Sequence, residues 1–186
     1  MKRILLPILT MVLIFASCDK TETFDDTRKN DNEMQFAKIA ADPAYKKIES
    51  KSGNGFILYK VIKEGEIDPD QKPIFTDNVK THYTGWYKRF WTKEDTFIDD
   101  NGFTFQNKII FDTTAIEGSE TEKSSEFSVS KVVDGFSTAL QHMHVGDKWE
   151  IWIPWQLGYG AYDYSAGGIS AYSTLVFELE LVEIVK

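Results

Sequence analysis

The stretch FSVSKVVDGFSTALQHMHVGDKWEIWIP, residues 127–154, changes its hydrophobic period twice. Phe127 and Val129 alternate with Ser128 and Ser130. Phe136, Ala139, Leu140 and Met143 then recur at i, i+3, i+4 and i+7. Trp149, Ile151 and Ile153 return to alternation around Glu150 and Trp152. A period of two with one apolar face marks a half-buried strand, and the 3.6-residue spacing marks an amphipathic helix. Asp134 stands ahead of the helix as its N-cap and Gly146 follows its last turn. The stretch therefore predicts strand, short helix, strand.

Elsewhere the strand period prevails. Val79, Thr81 and Tyr83 alternate with Lys80, His82 and Thr84, and Leu175, Phe177, Leu179 and Leu181 enclose Glu178 and Glu180. The turn signal KSGNG at 51–55 precedes a further strand, FILYKVIKEG. One helix among many antiparallel strands implies an α+β fold, a twisted sheet burying one face on that helix. No repeat with a period of about 20–50 residues is present.

Residues 108–114, KIIFDTT, set one carboxylate directly after three large apolar residues. Asp112 reads either as a turn former at a strand end or as an acid at the wall of an apolar pocket. Upstream, DDNG at 99–102 contains Asn-Gly, a strong hairpin signal, between the aromatic-rich runs Trp86–Ile98 and Phe103–Phe111. The whole reads as one long hairpin, an insertion at about 86–110. Its aromatics either pack on the sheet or form an exposed patch for a protein or glycan. The acidic cluster there lacks the spacing of an EF-hand loop. His142 and His144 lack a third ligand and read as solvated helix-end residues.

Composition narrows the class. The 186 residues carry a net charge of −8, so the basic footprint of a nucleic-acid binder is missing. Hydrophobic residues at 42% and aromatics at 14% support a real core. The single cysteine, Cys18, excludes an internal disulfide framework and a thiolate-rich metal site. It closes the N-terminal segment MKRILLPILTMVLIFASC: Lys2 and Arg3, an apolar run Ile4–Phe15 too short for a comfortable membrane span, then Ala16 and Ser17. This resembles a bacterial lipoprotein signal, with Phe15 where leucine is more usual; an ordinary cleaved signal peptide or a signal anchor are the alternatives. On the first reading residues 1–17 are removed, Cys18 carries lipid, and the protein is anchored in a bacterial cell envelope without a span, facing either the periplasm or the surface. Residues 18–50 are then the lipidated cysteine, a flexible polar tether at 19–32, and a short helix within 33–42 that stops before Pro43. Phe36, Ile39 and Ala40 give that helix its apolar stripe.

Four islands, THYTGWY (81–87), IIFDTT (109–114), the 127–154 stretch and LGYGAYDYSAGGISAYSTLVFELELVEIV (157–185), occur in an order that resembles the FKBP-type peptidyl-prolyl cis-trans isomerases, and most nearly the macrophage-infectivity-potentiator kind. The resemblance covers about residues 51–186. It implies a half-open antiparallel sheet wrapped around one short helix, with an apolar bowl between them. It implies catalytic roles for Tyr83, Asp112 and Tyr159, with Asp112 tied to the Tyr83 hydroxyl. It implies substrate binding by Phe111, Phe127, Val132, Val133, Phe136, Ile169 and Phe177. No cofactor or metal is implied. The implied partners are proline-containing polypeptides, and macrolide immunosuppressants as ligands.

This chain departs from the family pattern in three places. Phe136 stands where the family usually has tryptophan, Ile169-Ser170-Ala171 replaces Ile-Pro-Pro, and the segment between Gly85 and Phe111 is longer. These departures leave two functions open, an enzyme or a tethered binding and chaperone module with little turnover. Without the resemblance, the candidate aromatics and Ile169 read as plain core residues.

Overall fold

A computed structural model describes residues 23–65, 72–115 and 123–185. Residues 1–22, with the signal segment and Cys18, lie outside the described residues. The chain forms α1 (Phe24–Ala40), β1 (Lys46–Glu49), β2 (Phe56–Lys63), β3 (Asn78–Lys88), β4 (Thr96–Ile98), β5 (Thr104–Gln106), β6 (Lys108–Thr113), β7 (Ser125–Ser128), α2 (Asp134–Leu140), β8 (Lys148–Ile153) and β9 (Leu175–Val185). Seven strands make one antiparallel sheet in the order β1-β2-β8-β9-β3-β6, with β7 also paired to β3. β7 takes the first half of β3, Asn78 to Thr81, and β6 the second half, Thr84 to Lys88. The sheet edge beside α2 is thus made of two short strands end to end.

The predicted α+β layout is what forms. α2 lies on one face, where Phe136, Ala139, Leu140 and Met143 join Val79, Tyr83, Ile151, Phe177, Leu179 and Leu181 in one buried cluster. Burying a side chain the size of Leu179 contributes about 2 kcal/mol. Gly135 lets α2 approach β8, since a Cβ there would stand 2.3 Å from Ile153 Cγ2.

Several expectations change. The helix begins at Asp134 with Val133 in the capping position; the Asp134 carboxylate instead accepts from the hydroxyls of Ser50 and Ser52, and so ties α2 to the 50–55 turn. α2 ends at Leu140, although Met143 stays fully buried beyond it. β7 stops at Ser128, and Val129, fully buried, begins a 3-10 turn.

The polar segment read as a tether is helical from Phe24, and the short helix placed at 33–42 is the second half of the long α1. Thr23 and Asp26 form a reciprocal capping box, Asp25 and Asp26 lie in the first turn and Lys38 in the last. α1 covers the outer face of the sheet, where Phe36 packs with Leu58, Trp152 and Val176. Its polar lock is Asn32, 1% exposed, whose Oδ1 accepts from Trp91 Nε1 at 2.8 Å and from Thr174 N at 2.7 Å.

The long hairpin is likewise two structures. Trp86 to Lys88 and Lys108 to Thr113 belong to the main sheet, and only β4 and β5 pair beyond them. Asn107, fully buried, breaks the ladder: its amide donates to the carbonyls of Phe90, Lys93 and Glu94. Gly102, at φ +83°, makes the predicted turn. The aromatics divide accordingly. Trp86 and Trp91 sit under α1, Phe90, Phe97 and Phe105 contact one another, and Phe103 is exposed.

Candidate active site

Between α2 and the inner face of the sheet lies an open cavity of about 280 Å³. Nine of the ten residues that the resemblance singled out line it. β3 contributes Tyr83, β6 Phe111 and Asp112, β7 Phe127, and β9 Phe177. Val132, Val133 and Phe136 come from the start of α2, and Tyr159 from the loop after β8. Ile169 is the exception. It is 2% exposed and sits within the core behind the loop, not on the cavity surface. Its backbone exchanges two hydrogen bonds with Tyr164, which turns the Tyr164 ring toward the cavity instead.

Phe136 forms the floor. Its ring meets Phe177 at 5.1 Å, Tyr83 at 6.0 Å and Phe127 at 6.2 Å between centroids, all edge-on. Phe111 and Phe177 press on β3 at Gly85, where a Cβ would stand 2.5 Å from Phe177 Cε1 and 2.8 Å from Phe111 Cζ. Only glycine fits between these two walls.

Polar groups break the apolar lining. The Tyr83 hydroxyl donates to Asp112 Oδ2 at 2.6 Å, so Asp112 is a pocket-wall acid. Burial, and then this bond to Asp112, pushes the Tyr83 phenol well above its usual range. The Tyr159 phenol is also raised, by burial first and then by Tyr164 and Asp112. Both phenols therefore remain donors at neutral pH. Tyr83 spends its proton on Asp112, whereas the Tyr159 hydroxyl and the Val133 N–H have no acceptor among the described residues. The bowl offers two free donors to an incoming carbonyl.

Sequence reasoning missed Tyr164 and Lys131. Tyr164 stacks on Tyr159 at 4.2 Å and 8°, and Lys131 stands at the rim. The third aromatic in GYGAYDY was the available signal for Tyr164. A larger cavity of about 520 Å³ lies on the far side of α2. Its lining brings Glu49 and Lys51 together with Asp134, whose carboxylate already accepts from two serine hydroxyls. The bowl is the better site, because it combines converging aromatic rings with donors that no described residue uses. His142 faces the Thr138 carbonyl of its own helix, and His144 lies 3.6 Å from Asp147.

Sheet, helix and bowl together define an α+β protein of the FKBP fold. The crystal structure of a peptidyl-prolyl cis-trans isomerase from Pseudomonas syringae pv. tomato superposes with a TM-score of 0.63 at 25% identity, covering 89% of this chain and 99% of that one. The crystal structure of FkpA from Escherichia coli gives 0.56 at 25% identity, over 86% of this chain and 62% of that one. Residues 70–182 match the family described as FKBP-type peptidyl-prolyl cis-trans isomerase, and the chain belongs to it. The Escherichia coli FKBP-type 22 kDa peptidyl-prolyl cis-trans isomerase is 37% identical over 69% of this chain and 50% of its own length. The Legionella longbeachae outer membrane protein MIP is 34% identical over 70% and 45%. The chain thus spans about half the length of these relatives.

Proposed function

We propose that the protein is a prolyl isomerase, acting on X-Pro bonds of polypeptide clients in the bowl. The observation that carries this reading is the pairing of a largely aromatic surface with two donors that no described residue uses, Tyr159 O–H and Val133 N–H. An X-Pro bond resists rotation because of its partial double-bond character, with an amide barrier of about 18–20 kcal/mol. Uncatalysed exchange takes roughly tens to hundreds of seconds. The planar amide is more polar than the twisted transition state, so an apolar wall of Phe111, Phe127, Phe136 and Phe177 favours twisting. Tyr159 and Val133 hold the flanking carbonyls and fix which part of the peptide can turn. Asp112 holds the Tyr83 ring upright and sets the field beside the prolyl ring. No bond to hydrogen breaks, so neither tyrosine nor Asp112 needs to transfer a proton.

The same bowl would take macrolide immunosuppressants. A lipid on Cys18 would hold the domain in the cell envelope, facing either the periplasm or the surface; similarity to the Legionella outer membrane protein MIP supports an envelope location. Among the described residues no helix is long and apolar enough to cross a membrane. The clients would then be envelope proteins during folding.

A protease-coupled isomerisation assay tests the reading, with wild type beside Asp112→Ala and Tyr159→Phe. Acceleration weakened by either change places catalysis in the bowl. A folded wild type without acceleration leaves the binding-module reading in its place.

A further inference from the structure

The loop at 158–174 that carries Tyr159 contains no proline, so something else must hold its shape. One peptide unit in it is gripped at both ends. The carbonyl of Gly168 accepts a hydrogen bond of 2.8 Å from the hydroxyl of Tyr87, a residue of β3 that is 3% exposed. The N–H of the same peptide, Ile169 N, donates to the Tyr164 carbonyl at 3.2 Å, and Tyr164 N returns a bond of 2.7 Å to the Ile169 carbonyl. Gly168 sits at φ +62°, a conformation that few other residues hold without strain.

We propose that Tyr87 is a positioning residue of the bowl, one that fixes the Gly168–Ile169 peptide and through it the Tyr164 ring stacked on Tyr159. The inference rests on the prolyl isomerase reading for its catalytic consequence. The chain of contacts is short. Tyr87 pins the peptide, the peptide pins the Tyr164 backbone, and the Tyr164 ring lies flat against Tyr159. Tyr164 is 41% exposed, and its ring is held between Tyr159 and the loop backbone at Gly167, where a Cβ would stand 2.9 Å from ring carbons. The backbone anchorage keeps the loop, and with it Gly167, in the place that holds the ring against Tyr159. Tyr87 also touches the bowl directly, its ring 6.4 Å from Phe111. A phenol on a rigid central strand thus supplies order that a Pro-Pro pair would supply through fixed backbone torsions.

Tyr87→Phe removes one hydroxyl and keeps the ring. Loss of one neutral hydrogen bond changes an opening equilibrium by up to about tenfold. Amide hydrogen exchange at Ile169 should therefore rise by up to about tenfold, while exchange at Leu179 in the core stays unchanged. In an isomerisation assay kcat/KM should fall about three- to fivefold, and this loss should vanish in a Tyr164→Ala background, because the effect passes through Tyr164. Unchanged protection at Ile169, or an equal loss of rate in both backgrounds, would overturn the proposal. If wild type shows no isomerisation, the functional reading fails on its own, and the exchange result alone decides whether Tyr87 holds the loop.

Discussion

The two faces of the sheet are built from the same strands and end in opposite conditions. On the inner face, Tyr83, Phe136 and Phe177 surround a gap and leave two donors unused. On the outer face, Trp152, Val176 and Leu58 are closed over by Phe36, and the one buried amide there, Asn32, is satisfied at both its oxygen and its nitrogen. A face covered by a helix, with its buried amide partnered, can only hold the fold. A face with an apolar gap and idle donors can bind and act.

That contrast makes predictions that separate stability from activity. Phe36→Ala opens a cavity under α1 and should cost about 3–5 kcal/mol in urea unfolding, while kcat/KM per folded molecule stays within about twofold. A comparable loss of activity would mean that the outer face takes part in the chemistry.

Gly85→Ala should strike both properties, since the new methyl meets Phe111 and Phe177 at once. Overpacking of this kind costs about 1–3 kcal/mol, and a displaced Phe177 should weaken peptide binding in a fluorescence titration. On the inner face alone, Tyr159→Phe removes a hydroxyl that no described protein group uses. Thermal stability should hardly move, and kcat/KM should drop about tenfold, as one hydrogen bond made to substrate allows.

The smallest effect is in pH. Tyr83 and Tyr159 inside the bowl, and Tyr45 beneath α1, all have raised phenols; Tyr45 is pushed up to about 12 by burial and by Glu150. A raised folded pKa contributes stability that is fully present below the unfolded value near 10 and is lost as pH climbs through the folded value. Stability should therefore fall in alkali, from about pH 10 upward, on both faces. Activity should be flat between about pH 6 and 9, since no proton moves in the reaction. A bell-shaped rate profile in that window would contradict the mechanism.

The difference between the faces also explains what was legible in the sequence. Inner-face strands announce themselves because Val79, Thr81 and Tyr83, or Leu175 to Leu181, alternate with charged residues. The bowl residues followed from motif order, and the Tyr83–Asp112 pair formed as the resemblance implied. Outer-face residues did not show. Trp152 and Val176 look like solvent positions until α1 covers them, and α1 hides because its 17 residues bury little besides Asn32 and Phe36. Asn107 fell inside the run read as one arm of the hairpin, yet its buried amide sets where the sheet ends. A polar lock of that kind has no periodicity, and only its three-dimensional partners reveal it. Ile169 came from the motif match alone, which gives a place in the chain but not the way a side chain faces in a loop folded back on itself.

The central claim is that the inner bowl turns prolyl bonds. Exchange spectroscopy by NMR on a Leu-Pro peptide, with the protein far below peptide concentration, tests it most directly. The account predicts cis–trans exchange peaks that the peptide alone lacks and that weaken with Tyr159→Phe. A folded protein that binds the peptide and produces no exchange peaks would contradict it.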